Sequence, residues 1–152
     1  MPVDDKENLA RFLSSESKRG HVVKNAHPIV VSYKAFTPDV GTEDISVSRL
    51  PLIGTDACKE LGCKRYPEKF IGLAVSSAFV FRNHFAGITE APTDDNPGHA
   101  NIHAGFTREK GQPLLPEQKE IIVNFIQEVL TYEDRDCGAT TWLGPLIPPF
   151  AD

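Results

Sequence analysis

The residues of this chain best suited to chemistry are arginine and histidine side chains in two short segments. The first segment is the basic run Lys18, Arg19, Gly20 and His21, in which a glycine separates a guanidinium from an imidazole. Glycine lets the backbone approach a ligand closely, and arginine can donate two parallel hydrogen bonds to a phosphate or carboxylate. The run therefore predicts an anion-binding loop. The alternative is a solvated basic loop, because one short basic run is a weak signal.

The second segment begins at His99, where His99, Asn101 and His103 alternate with small or apolar residues. This alternation predicts a strand that places His99 and Asn101 on one face, about 7 Å apart. A histidine can exchange a proton near neutral pH, so His99 is a candidate acid or base; the alternative is that it braces the preceding turn. His99 and His103 would lie roughly 13 Å apart on a strand. They could not bind one metal ion at that distance, so we predict no metal site.

Convergence of the two segments would form a metal-free site for a phosphodiester or nucleotide, in which arginine binds charge and histidine transfers protons. Arg49, at the end of a predicted strand, is a possible further donor. No glycine-rich phosphate or dinucleotide motif is present, so no cofactor is predicted. The candidate catalytic residues are Arg19, His21, His99 and Asn101, and the candidate ligand-binding residues are Arg19, Gly20, Arg49 and His103.

The composition limits the class of protein. The chain has 152 residues, of which 40% are hydrophobic, and a net charge of −5 at neutral pH. This length and apolar content predict one packed domain. The acidic balance argues against a broad nucleic-acid-binding surface.

The cysteines and the first residues bear on the compartment. Cys58, Cys63 and Cys137 are odd in number and include no C-x-x-C pair, which predicts reduced thiols in a cytosolic protein. The alternative is a thiolate nucleophile at Cys58 or Cys63, beside basic residues. The first twelve residues lack the features of a secretory signal, and no apolar run is long enough for a membrane span. We therefore expect a cytoplasmic location and no membrane contact.

The elements that would position these residues follow from hydrophobic periodicity. Apolar residues at helical spacing predict helices over residues 4–14, 55–61 and 116–131, and alternation predicts strands over 28–36, 43–50, 69–82, 85–91 and 99–106. For residues 69–82 a helix is the competing interpretation, because alanine and leucine are good helix formers, but the β-branched and aromatic residues favour a strand. The first two strands are expected to form a hairpin. The fold class is α+β: a mainly antiparallel sheet of four to five strands within residues 1–136, with a long C-terminal helix packed on one face.

The C-terminal tail, residues 137–152, is rich in proline and yet apolar. It is predicted either to lie as a strap over the domain or to dock on another protein. The residues that would make the contact with a partner are Trp142, Leu146, Ile147 and Phe150.

The order of several motifs resembles that of a family of small uncharacterised bacterial proteins. These motifs are RGHV at 19–22, AFTP at 35–38, ISVSR at 45–49 and NPGHANI at 96–102. The resemblance covers residues 19–130 and implies bacterial origin and a single compact domain, but no reaction. Ser48 stands where that pattern has an acidic residue.

Two functions follow as hypotheses. The first is a non-catalytic accessory or interaction component of a bacterial system, such as a defence, toxin or mobile-element system, because no complete catalytic motif is present and the tail is apolar. The second is a small metal-independent His/Arg enzyme, or a protein that binds a nucleotide or another small anion.

Overall fold

A computed structural model describes residues 1–152, which form six strands, three α-helices and one short 3-10 helix. The strands are β1 (Asn8–Ser14), β2 (Asp44–Arg49), β3 (Phe70–Ser77), β4 (Gly87–Glu90), β5 (His99–His103) and β6 (Leu130–Glu133). The helices are α1 (Leu50–Arg65), α2 (Ala78–His84) and α3 (Pro116–Ile126), and the 3-10 helix is Tyr33–Phe36. All strand pairs are antiparallel, in the order β4-β5-β2-β1-β3-β6. None of the helices combines the length and apolar character needed to cross a membrane.

The predicted architecture is wrong in two respects. The sheet has six strands, and the longest helix is α1 in the middle of the chain rather than a long C-terminal helix. Helix α3 ends at Ile126, because Leu130–Glu133 leaves the helical pattern to pair with β3. Residues 8–14 form β1 rather than a helix. This strand lies between β2 and β3 and is buried on both faces, so it lacks the alternation that marks a half-exposed strand.

Of the other predicted elements, some are confirmed and some are wrong. The strands in residues 43–50, 85–91 and 99–106 are confirmed by β2, β4 and β5. Residues 28–36 form no strand and no hairpin with β2, which instead lies between β1 and β5. Residues 69–82 form β3 and then α2, because the hydroxyl of Ser77 accepts a hydrogen bond from Val80 N and begins the helix.

The sheet has an apolar core on each face. One core packs α2 and α3 against the sheet around the rings of Phe36, Phe81 and Phe125, whose centroids lie 4.6–6.1 Å apart. The other packs α1 over Leu73 and Val75 of β3. Strand β2 turns Ile45 and Val47 toward the first core, so its serines face the same side as α1.

A gap in the sheet positions the candidate site. Strands β1 and β2 pair only at Leu9–Arg49 and Ala10–Ser48, after which they separate while β1 continues along β3. The Arg11 guanidinium bridges the gap. Its Nε donates to Ala35 O (2.7 Å) and its Nη1 to Ser46 O (2.9 Å), so it satisfies a carbonyl of β2 in the region where β1 no longer pairs with it.

The C-terminal tail lies against the domain as a strap. Ile147 is buried in the core beneath α1, and the backbone and side-chain amides of Asn8 donate to the carbonyls of Pro149 and Pro148. The prediction of three reduced thiols is wrong, because Cys63 and Cys137 form a disulfide that ties the tail to α1. Cys58 is free, but burial raises the pKa of its thiol to about 12, which makes it a poor thiolate nucleophile.

Candidate functional site

A cavity of about 630 Å³ opens where β1 and β2 separate. Its walls come from these two strands, residues 18–39, the C-terminal end of α1, and the start of β5 with the segments on either side of that strand. Six arginine and lysine side chains line it against one carboxylate, that of Asp39. The chain as a whole carries −5, so this is a local reversal of charge. We call this space the cationic cavity; its cations are Arg11, Lys18, Arg19, Lys34, Arg65 and Arg108.

Gly20 brings the basic loop and Lys34 together. Its φ is +63°, a conformation that most other residues adopt only with strain. A Cβ at this position would lie 2.6 Å from Lys34 Cδ, so the lysine stem passes directly over the glycine. Arg19 and His21, on either side of Gly20, both line the cavity.

Arg19 is held beside the cavity with part of its donor capacity unused. Its guanidinium lies 4.8 Å from the centre of the Tyr66 ring, and that of Arg65 lies 5.0 Å from the same ring. Glu16 Oε2 is 3.4 Å from Arg19 Nε, close enough for charge attraction, yet this buried Nε has no hydrogen-bond partner. An unsatisfied buried donor of a charged group costs free energy.

His21 presents a neutral imidazole. Its Nδ1 accepts a hydrogen bond from Ser14 N (3.1 Å), which assigns the proton of the neutral ring to Nε2. Burial lowers the pKa of His21 to about 4, with smaller contributions from the charges of Arg11, Arg19 and Arg65. Nε2 has no partner in the protein and belongs to a side chain that lines the cavity. His21 is therefore a hydrogen-bond donor at neutral pH, and not a base with an ordinary pKa.

His99 also lines the cavity. Its Nδ1 donates to Ala91 O (2.8 Å), which is the bracing contact that the sequence offered as an alternative to catalysis. This bond leaves Nε2 of the neutral ring as an acceptor. Ser48 faces His99 across the β2–β5 pair, and its hydroxyl accepts from Asn96 Nδ2 (3.0 Å). The cavity therefore offers hydroxyl, amide and imidazole groups beside its cations.

The structure brings only some of the predicted site residues together. Arg19 and His21 from the basic loop share the cavity with His99. Arg49 does not line the cavity, because all five of its N–H groups donate to Glu7, Glu90 and the carbonyls of Met1 and Pro2. Arg49 therefore has no donor free for a ligand in this structure, and its role as a ligand-binding residue stays a prediction.

Asn101 and His103 also lie outside the cavity wall. Asn101 pairs with Ser46 further along β5, and the His103 ring is held by Thr89 and Asp44 near the edge of the sheet. Of the predicted interaction residues, Ile147 is buried, Trp142 is half-buried and donates Nε1–H to Pro145 O, and Leu146 and Phe150 are exposed.

Sequence reasoning missed four of the six cations. Arg11 had a signal, because it is the one charged residue in an apolar segment at 8–13. Lys34, Arg65 and Arg108 had none, since they stand in three separate segments and only the folded chain brings them together. No group of three or more His, Cys, Asp or Glu side chains is arranged to hold a metal ion.

No family model, curated protein or solved structure matches this chain. The resemblance to the bacterial family therefore stays a prediction. The geometry of the site is that of a concave surface rich in cationic donors.

Proposed function

We propose that this protein binds a small phosphate-bearing ligand in the cationic cavity. The observation that carries the proposal is the excess of six cations over one carboxylate in a chain of net charge −5. Clustered like charges repel one another, so such a cluster costs stability unless an anion occupies it.

The donor set favours phosphate over a carboxylate. Guanidinium groups bind phosphate in a bidentate way, and ammonium groups add point charge. Arg19 supplies a guanidinium to the cavity, and the Nε2 of His21, which lines the same cavity, supplies a neutral donor. A phosphate offers more acceptor oxygens and more charge than a carboxylate, and so uses more of these donors at once.

The proposal is one of binding and not of catalysis. His99 Nδ1 is engaged with Ala91 O, and Cys58, whose buried thiol has a pKa of about 12, does not line the cavity. The predicted accessory role through the tail stays a prediction. Ile147, one of the residues predicted to contact a partner, is buried in the core of its own domain.

The compartment also stays a prediction. A cytoplasmic location was expected from reduced thiols, and the Cys63–Cys137 disulfide argues the other way, because disulfides persist mainly in oxidising compartments.

Isothermal titration with pyrophosphate at low ionic strength tests the proposal, because screening is then weakest. Arg19→Gln and Arg65→Gln should each weaken binding by about tenfold, the size expected for one charge-assisted hydrogen bond to a phosphate. Lys64→Gln is the matched control. Lys64 is adjacent to Arg65 and exposed but does not line the cavity, so its loss should leave affinity nearly unchanged.

Equal losses in all three variants would mean that only net charge matters, and would contradict a defined site. Absence of binding to the unaltered protein would contradict the proposal itself.

A further inference from the structure

We propose that the ligand contains a linear chain of two or more phosphate groups, bound across two adjoining cavities without recognition of a nucleobase. This inference rests on the proposed function and specifies its ligand class.

A second, smaller cavity continues the first. It measures about 290 Å³ and shares Lys18, Arg19, Lys34, Thr37 and Arg108 with the cationic cavity. The four shared cations therefore lie along the border between the two spaces, whereas Arg11 and Arg65 belong to the larger one alone. Positive charge is spread along a path and not gathered at one point.

The cations extend over a longer path than a single phosphate group can contact. A single phosphate presents a few oxygens at one position, while a cavity of about 630 Å³ has the size of a site for a drug-sized molecule. A chain of phosphates places one negative group after another and can meet cations at both ends of the path. Gln112, Pro113 and Leu114 line the smaller cavity alone, so a chain that extends into this cavity would lie beside them.

Two of the three phenylalanine and tyrosine rings that line the cavities already have cationic neighbours, and the third, Phe12, packs edge-on to Phe70 with their ring centroids 6.5 Å apart. The Tyr66 ring in the larger cavity has the guanidinium groups of Arg19 and Arg65 over it and the His21 ring at 5.9 Å. In the smaller cavity, Lys119 Nζ lies 4.5 Å from the centre of the Tyr33 ring. Base recognition in proteins commonly depends on stacking against such rings. The phosphate chain, and not the group attached to it, is then what this site recognises.

The test compares phosphate, pyrophosphate, tripolyphosphate and ATP by isothermal titration with the unaltered protein, without divalent cations. Affinity should rise at least tenfold from phosphate to tripolyphosphate, and ATP should bind no more tightly than tripolyphosphate. ATP separates a chain carried by a nucleoside from an inorganic chain.

Gln112→Glu tests the second cavity. It places a carboxylate in the smaller cavity only, at an exposed position where folding should not suffer. Tripolyphosphate affinity should fall about fivefold or more, while phosphate affinity should change less than twofold. Gln127→Glu makes the same change of net charge at an exposed position outside both cavities, and should alter neither affinity.

The outcomes separate the two proposals. If phosphate binds as tightly as tripolyphosphate, or if Gln112→Glu has no effect on tripolyphosphate, the chain inference is overturned and the proposed anion site stands. If ATP binds more than fivefold tighter than tripolyphosphate, a nucleobase is recognised and the inference is wrong on that point. If none of the four compounds binds, both proposals fail.

Discussion

The cationic cavity and the buried charges around Arg49 and Lys59 use the same side-chain chemistry in opposite ways. Arg49 directs all five N–H groups to protein acceptors, and its Nε lies 2.8 Å from Glu7 Oε1. Lys59 is equally buried, with Nζ 2.9 Å from Asp134 Oδ2 and 2.7 Å from Thr141 O. In the cavity, Arg19 keeps a buried Nε without an acceptor.

The difference teaches what each set of charges is for. The paired charges join distant parts of the chain. Arg49, at the end of β2, contacts Glu7, the residue before β1. Lys59, in α1, contacts Asp134 and the carbonyl of Thr141 in the tail. Removing one member of such a pair leaves the other buried and uncompensated. Arg65 in the cavity has no carboxylate within salt-bridge distance, so its removal should affect ligand affinity and leave folding nearly intact.

The largest effect should follow Lys59→Met. This change leaves the Asp134 carboxylate buried without its cation, and should lower the free energy of unfolding by about 3–5 kcal/mol. Urea unfolding followed by circular dichroism measures it. Lys64→Met, at an exposed position of the same helix, should shift the value by no more than about 0.5 kcal/mol. Equal effects of the two changes would remove the distinction between paired and unpaired charges.

Loss of the disulfide should come next. Replacing Cys63 and Cys137 together by serine opens a loop with a sequence separation of 74 residues. This should lower the free energy of unfolding by roughly 2–5 kcal/mol, because the unfolded chain regains entropy. Reductant should reproduce the loss in the unaltered protein and have no effect on the double variant. A double variant as stable as the oxidised protein would show that the other tail contacts suffice.

His21 should make stability fall in mild acid. Its pKa is lowered from 6.5 to about 4 by burial and by neighbouring arginines. Above pH 6.5 the ring is neutral in both the folded and the unfolded chain. Below that, the unfolded chain binds the proton first, so up to about 3 kcal/mol of stability is lost between pH 6.5 and 4.

His21→Asn isolates this contribution. The Asn Oδ1 can still accept the hydrogen bond from Ser14 N, but the side chain does not titrate. The acid loss between pH 6.5 and 4, measured by urea unfolding at several pH values, should shrink in this variant. Carboxylates such as Glu7 titrate in both proteins and cancel in the comparison. An unchanged pH profile would mean that His21 is not buried in its neutral form.

The smallest effect on stability should come from the cavity itself. Arg65→Gln removes a charge that faces other cations and no carboxylate within salt-bridge distance. The free energy of unfolding of the ligand-free variant should stay within about 0.5 kcal/mol of that of the unaltered protein or rise slightly, because repulsion between the cations is relieved. A loss above about 2 kcal/mol would place Arg65 among the structural charges and weaken the comparison.

The hydrophobic pattern predicted those strands that have one face in the core and one face outside it. Strands β2 and β5 alternate because each has one apolar face toward the core containing α2 and α3. Strand β1 was mistaken for a helix, since a strand buried on both faces shows no alternation. The helix predicted at 116–131 was too long because Val129 and Leu130 continue its apolar pattern, although Leu130 belongs to β6.

In the candidate site, too, only residues with a local sequence signal could be predicted. The loop around Gly20 could be predicted because a glycine between Arg19 and His21 is a local signal, and both residues do line the cavity. Arg108 could not, since no local pattern links it to a loop that lies far from it in the chain.

By itself, the sequence determined which side chains are present, the alternation of β2 and β5, and the flexible backbone at Gly20. Only the tertiary structure decided which charges are paired. Arg19 and Arg49 are the same residue type, and Arg49 becomes structural only because Glu7, 42 residues away, folds against it. Electrostatic pairing depends on distance in space and on burial, and neither is set by position along the chain.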